Sequence, residues 1–158
     1  MEQLGCGPEQ VRVVQGDQCG YRAAVRYQRA EPPLRLDGPA SARLFFSRCF
    51  AEQDPSSESL WVAHVDDESR CVHLSRHEGD TCGVDFPLRH IMLDAARHGS
   101  AGIVLAHNHP SGDARPSDSD LRATRKLAAA AEAIDCTVLD HLVFGGEECT
   151  SLRGLGYL

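Results

Sequence analysis

Ala101-Gly102-Ile103-Val104-Leu105-Ala106 runs directly into His107-Asn108-His109-Pro110-Ser111-Gly112-Asp113-Ala114-Arg115-Pro116-Ser117-Asp118-Ser119-Asp120. The first six residues form a short continuous apolar run, which predicts a strand buried on both faces. Ser117 predicts the N-cap of a helix whose apolar stripe is Leu121, Leu127, Ala128 and Ala131. Between strand and helix lies a polar loop punctuated by Pro and Gly, with two histidines at its start and a carboxylate at its end.

Upstream of that stretch, Asp85 predicts an N-cap and Pro87 a first-turn position. A helix of about three turns follows through Ile91, Met92, Ala95 and Ala96, stopped by Gly99. Leu60–Val65 and Arg70–Leu74 flank the polar break Asp66-Asp67-Glu68-Ser69 and predict a hairpin. Ala40–Ala51 has a helical apolar face, and Asp54-Pro55 breaks it. Downstream, Thr137–Phe144 predicts a strand, Gly145-Gly146 a turn and Cys149–Leu152 a short return. Helix, hairpin, helix, strand, helix, hairpin predicts a single α/β (α+β) layered domain with a mixed β-sheet. Residues 1–38 are less regular: Val11–Val14 and Tyr21–Tyr27 suit short strands, and Glu31-Pro32-Pro33 ends any element there. They are read as an accessory segment preceding the domain at 39–158.

The chain has 158 residues, 42% of them hydrophobic, enough for one ordinary core. Sixteen Lys and Arg against 23 Asp and Glu give a net charge of −7, and no basic stripe is present, so a nucleic-acid partner is not expected. No apolar run approaches the ~20 residues that span a bilayer. The amino terminus Met-Glu-Gln-Leu-Gly has no secretory pattern, and the expected location is the cytoplasm. Seven cysteines without a C-x-x-C pair fit neither a disulfide framework nor a thiolate zinc site and are read as free thiols.

On an extended backbone, residues i and i+2 point the same way, so His107 and His109 can present two imidazoles to one point. Asp120 lies one helical turn past Ser117 and shares its face. Two imidazoles and a carboxylate give Zn²⁺ three protein ligands and leave a fourth position for water, the mark of a catalytic rather than a structural site. Either half alone is weak evidence: H-x-H is common at strand ends, and S-x-x-D is usually only a helix cap. Their conjunction around one loop carries the reading. The other histidines, His64, His73, His77, His90 and His98, are read as surface or core residues, with His64 and His73 able to flank the sheet near the site. Trp61 is read as core, Asp113 as exposed, and Asn108 and Ser111 as loop-shaping residues.

His107-x-His109, seven residues, then Ser117-x-x-Asp120 resembles the signature of the JAB/MPN-type (JAMM) zinc metalloproteases. The fuller run His107 to Gly112, Pro116-Ser117 and Leu139-Asp140-His141 resembles the RadC-like branch of that superfamily. The resemblance covers roughly residues 39–158. It implies a curved mixed sheet flanked by helices, one zinc ion held by His107, His109 and Asp120, and hydrolysis of an amide bond in a peptide or protein substrate. It also implies a glutamate general base on the strand ahead of the hairpin. Glu58 occupies the matching place, and Glu78 in His77-Glu78-Gly79 is the rival. A carboxylate near pKa 4.3 cannot usefully deprotonate bulk water near 15.7, but lowering the water towards ~7 removes roughly nine units of that gap. The expected chemistry is a zinc-activated water deprotonated by Glu58, with the Ser117 hydroxyl and the metal stabilising the oxyanion. Asp140-His141 is expected to play a structural or supporting role. Two other readings stand beside this one. The first is a nucleic-acid-binding or nuclease role, which the RadC association with DNA repair suggests and the acidic balance opposes. The second is a metal-bound interaction module without turnover. Peptide against isopeptide and monomer against homodimer stay open.

Overall fold

A computed structural model describes residues 34–79 and 86–158, together with the strand backbone at 11–13 and 25–27. In chain order the elements are β1 (Val11–Val13), β2 (Val25–Tyr27), α1 (Pro39–Ala51), β3 (Ser59–Val65), β4 (Cys71–Glu78), α2 (Leu88–His98), β5 (Gly102–Asn108), α3 (Asp118–Glu132), β6 (Thr137–Gly145) and β7 (Glu148–Ser151). The main sheet has five strands in the order β4-β3-β5-β6-β7. Among the described strands only β5 and β6 run parallel, joined by the crossover through α3, so the sheet is mixed as expected. β1 and β2 pair antiparallel with each other, and the rest of the presumed accessory segment up to residue 33 lies outside the described residues.

Strand alternation divides the core in two. Val104 and Ala106 of β5 face α1 with Trp61, Ala63, Leu142 and the fully buried Phe46. Ile103 and Leu105 face α2 and α3 with Val62, Ile91, Leu127 and Ala131. Trp61 is therefore core, 4% exposed, as its sequence position suggested. Leu36 belongs to the first core, and its N–H donates to Ser69 O beside the hairpin turn, so the layered domain takes in residues before 39. No disulfide joins Cys71, Cys136 and Cys149 to one another or to any described residue, and burial pushes the Cys71 thiol up to about 12. Cys6, Cys19 and Cys82 lie outside the described residues.

Boundaries move where local chemistry is stronger than hydropathy. β4 continues past Leu74 to Glu78, because Ser75 and His77 are buried against α2 despite being polar. α2 has Pro87 at its cap rather than within its first turn, and Asp85 lies outside the described residues. The closing turn is Gly146-Glu147, not Gly145-Gly146: Gly146 is the residue at φ +58, while Gly145 still pairs with Glu148. The Asp66–Arg70 turn is held by Asp66 Oδ1, which accepts from the N–H groups of Glu68 and Arg70.

The buried polar face has a consequence for acid stability. Burial, reinforced by the neighbouring His90 and His73 and opposed by Asp94, pushes His77 down to about 4. A ring that titrates near 6.5 when unfolded and near 4 when folded takes up a proton on unfolding between those values. Its contribution is complete above about pH 6.5 and is lost on acidification towards pH 4, by up to about 1.4 kcal/mol per pH unit. Urea unfolding between pH 7 and pH 4.5 with chelator present should show this decline, and His77→Gln should make it shallower.

Candidate metal centre

The end of β5 carries His107 on the α2/α3 face and Asn108 on the α1 face, continuing the alternation of Leu105 and Ala106. His109 N–H donates to Phe144 O, which keeps the chain beside β6 for one further residue. The loop then turns at Gly112, φ +81, and enters α3 through Ser117. Ser117 caps that helix in a reciprocal box. Its hydroxyl accepts from Asp120 N–H at 3.1 Å, while its own N–H donates to Asp120 Oδ2 at 2.7 Å. The box aims the Asp120 carboxylate at the histidines. His107 Nε2 is 2.9 Å from His109 Nε2, and each lies 3.4 Å from an Asp120 oxygen.

The ring tautomers follow from hydrogen bonding alone. Thr124 Oγ1 donates to Asp120 O at 2.6 Å, one turn back along α3. Its 2.6 Å contact with His141 Nδ1 must therefore be an N–H donated by His141, which leaves His141 Nε2 as an acceptor. His107 Nδ1 lies 2.7 Å from that acceptor and carries the hydrogen. His109 Nδ1 donates to Asp113 O at 2.7 Å. In their neutral forms His107 and His109 thus each turn a bare Nε2 lone pair towards the other, beside a carboxylate. Burial holds His141 well below the ordinary histidine range, and the adjacent His107 adds to this, so His141 stays neutral. Burial opposes ionisation of Asp120, but hydrogen bonds and charge from His107, with hydrogen bonds from Ser117, outweigh it and hold the carboxyl far below the usual range.

Two facing lone pairs and an anion are reconciled by a shared proton or a shared cation. In a tetrahedral zinc site with bonds of ~2.0–2.2 Å, neighbouring ligand atoms are ~3.3–3.5 Å apart, close to the spacings here. The donor set of two imidazole nitrogens and a carboxylate oxygen suits a divalent d-block cation.

The remaining expected residues are placed as follows. Glu58 is exposed and stands one residue before β3. Leu60 pairs with His107 at the end of the β3–β5 ladder, and Glu58 stands two residues before Leu60, beyond that end. Glu78 pairs with Ser59, hence lies on the opposite face, and is bound to Arg76 at 3.1 Å. Asp113 is engaged by Arg115 at 2.6 Å, and that bond pulls its carboxyl down to about 2. The Ser117 hydroxyl is held by Asp120 Oδ2 at 2.6 Å and Ser119 Oγ at 2.9 Å. His64 and His73 share the face of the site but not its neighbourhood. His64 pairs with Ile103, four residues along the strand from the His107 pair, roughly 13 Å at ~3.3 Å per residue.

His141, expected in a structural or supporting role, lies 2.7 Å from His107 Nδ1. Two contributors were hidden in the sequence. Thr124 gave no signal, because its role depends on a helix-to-strand contact. Asn108, read only as loop-shaping, accepts from Ser59 N–H at 2.9 Å and donates to Ser57 O at 2.9 Å, gripping the chain on both sides of Glu58. Asp140 itself is structural: its oxygens accept from Ser151 Oγ and from Arg153 N–H, anchoring the C-terminal return.

The profile of the RadC-like JAB domain matches residues 36–157. The chain belongs to the RadC-like JAB domain family. Among curated proteins it is 33% identical over 141 residues to a UPF0758 protein of Chloroflexus aggregans, covering 87% of this chain and 60% of that protein. It is 39% identical over 102 residues to a UPF0758 protein of Cellvibrio japonicus, covering 64% and 46% of the two chains. A UPF0758 protein of Vibrio atlanticus is 32% identical over 124 residues, 78% of this chain and 54% of the relative. The chain thus spans about half the length of these relatives, whose names assign no activity. Among the described residues no helix is long and apolar enough to cross a membrane.

Because Thr124 fixes the tautomer of His141 and thereby that of His107, Thr124→Val should weaken Zn²⁺ binding about 10- to 100-fold. The unpaired His141 N–H should also cost about 1–3 kcal/mol of stability. Competition against a chromophoric chelator at pH 7 reads the first effect and urea unfolding of metal-free protein the second. Unchanged affinity would dismiss the relay.

Proposed function

We propose that this domain is a zinc-dependent hydrolase of amide bonds, acting on a peptide or isopeptide linkage in a protein substrate. The observation that carries the reading is the convergence of two bare Nε2 atoms and the Asp120 carboxylate, with both Nδ1 hydrogens committed elsewhere. A bound divalent cation would supply Lewis acidity there and lower the pKa of a water from 15.7 towards ~7.

The chain's own residues do the rest. Glu58, exposed and two residues before Leu60, the strand partner of His107, takes the proton of the attacking water and returns it to the departing amine. Asn108 fixes the backbone that bears Glu58, so the base is positioned without its carboxylate being occupied by the clamp. The Ser117 hydroxyl can turn from Asp120 towards a developing oxyanion at small cost, since Asp120 keeps the Ser117 N–H. A cleft of about 710 Å³ between α1 and the ligand loop opens at His109, walled by Leu44, Phe50 and Phe144. It offers an apolar seat for a substrate side chain next to the centre. The net charge of −7 weighs against a polyanionic substrate.

Glu58→Gln should lower turnover about 10²- to 10⁴-fold and leave zinc content unchanged. Fluorogenic peptide and isopeptide substrates, with metal analysis of the same samples, test this. Full activity in Glu58→Gln removes Glu58 as base. Zinc-loaded protein that cleaves neither substrate class, or that cuts plasmid or single-stranded DNA instead, overturns the reading.

A further inference from the structure

A second group of metal-binding side chains lies at the other end of the same sheet face, under α2. His64 on β3 pairs with His73 on β4, and their ring centres are 5.4 Å apart. Asp94 and His98 stand one turn apart on α2 and project from one side of it. His73 Nε2 is 3.4 Å from Asp94 Oδ2, and the His73 and His98 rings stack with centres 4.1 Å apart and planes 7° apart. One ligand atom from each of His73, Asp94 and His98 lies within 4.8 Å of the other two.

A second observation points the same way. His64 is fully buried, holds Ser100 Oγ with Nδ1 at 3.1 Å, and has no hydrogen-bond partner for Nε2 among the described residues. A buried imidazole nitrogen left over beside two further imidazoles and a carboxylate is an incomplete donor set. Arg97 does not resolve it, since its guanidinium approaches the other oxygen, Asp94 Oδ1, at 3.9 Å. Cations stacked face to face repel, whereas neutral imidazoles with a carboxylate suit a borderline divalent ion.

We propose that His73, Asp94 and His98 form a second site for a divalent transition cation of the Zn²⁺ class, tying the edge strand β4 to α2. Contraction from within 4.8 Å to the ~3.3 Å ligand spacing of a tetrahedral site requires the exposed His98 side chain to swing out of its stack on His73 towards Asp94. The site is independent of the proposed hydrolase: it shares no residue with His107, His109 and Asp120.

The experiment is equilibrium dialysis of the stripped full chain against Zn²⁺ at pH 7, followed by metal analysis. The wild type should bind two equivalents, while Asp94→Asn, His98→Ala and His109→Ala should each bind one. Zinc should still raise the unfolding midpoint of His109→Ala, and adding His98→Ala should remove that rise. One equivalent in the wild type, lost in His109→Ala and kept in His98→Ala, overturns the proposal. So does a second equivalent that survives both Asp94→Asn and His98→Ala. A single equivalent lost in His98→Ala and kept in His109→Ala upholds it and removes the catalytic centre instead.

Discussion

A neutral histidine can offer a lone pair from one nitrogen only where its hydrogen is kept on the other. In this protein the interior makes that assignment for His107 through a chain of donors: His107 to His141, His141 to Thr124, and Thr124 to the backbone carbonyl of Asp120. The chain is directional because its last acceptor is a carbonyl, which has no hydrogen to give. It also closes on itself, since the residue at its end supplies the carboxylate of the candidate metal group. The geometry of that group is thereby coupled to the packing of α3 on β6. A loosened helix would disturb the His107 tautomer and the Asp120 position together.

That coupling depends on an irregularity in the sheet. The β5–β6 register shifts between Ile103 and Val104, where Val138 and Asp140 are the successive partners and Leu139 is the extra residue. A shift of one residue turns every following side chain to the other face. Beyond the bulge it is His141 that faces α3 and Asp140 that faces the C-terminal return. Leu139 meanwhile packs into the α1-side core. Close approach matters at the other end of β6 too. A Cβ at Gly145 would lie 2.4 Å from Ala114 N and 2.5 Å from Asp113 C, so only glycine lets the ligand loop rest against the strand. The carbonyl of Asp113 that orients His109 is held in place by that contact.

The α2/α3 face therefore carries two polar groups separated by apolar Val62, Ile103 and Leu105. One lies beside the loop that carries His109; the other lies under α2, and desolvation lowers the pKa of its buried His64.

Much of this was readable along the chain. The apolar run before His107, the cap at Ser117 and the hairpin around Asp66–Ser69 are local patterns, and local sterics and capping carry them into structure unaltered. The spacing of His107, His109 and Asp120 is likewise a statement about one strand end and one helical turn. The family's signature lies in the same residues. What the linear order could not hold are relations between distant segments. Glu78 stands as the rival of Glu58 until the β3–β4 register pairs it with Ser59 and so puts it on the sheet face opposite His107. Asn108 clamps Ser57 and Ser59 from 51 and 49 residues away. His73 meets Asp94 only because β4 lies under α2. The sequence by itself determined the elements, the ligand types and their local spacing, because those follow from neighbours within a turn or a strand. Tertiary structure alone decided sidedness, tautomers and the second histidine group, because strand register and a bulge assign side chains to faces by pairing that no local pattern encodes.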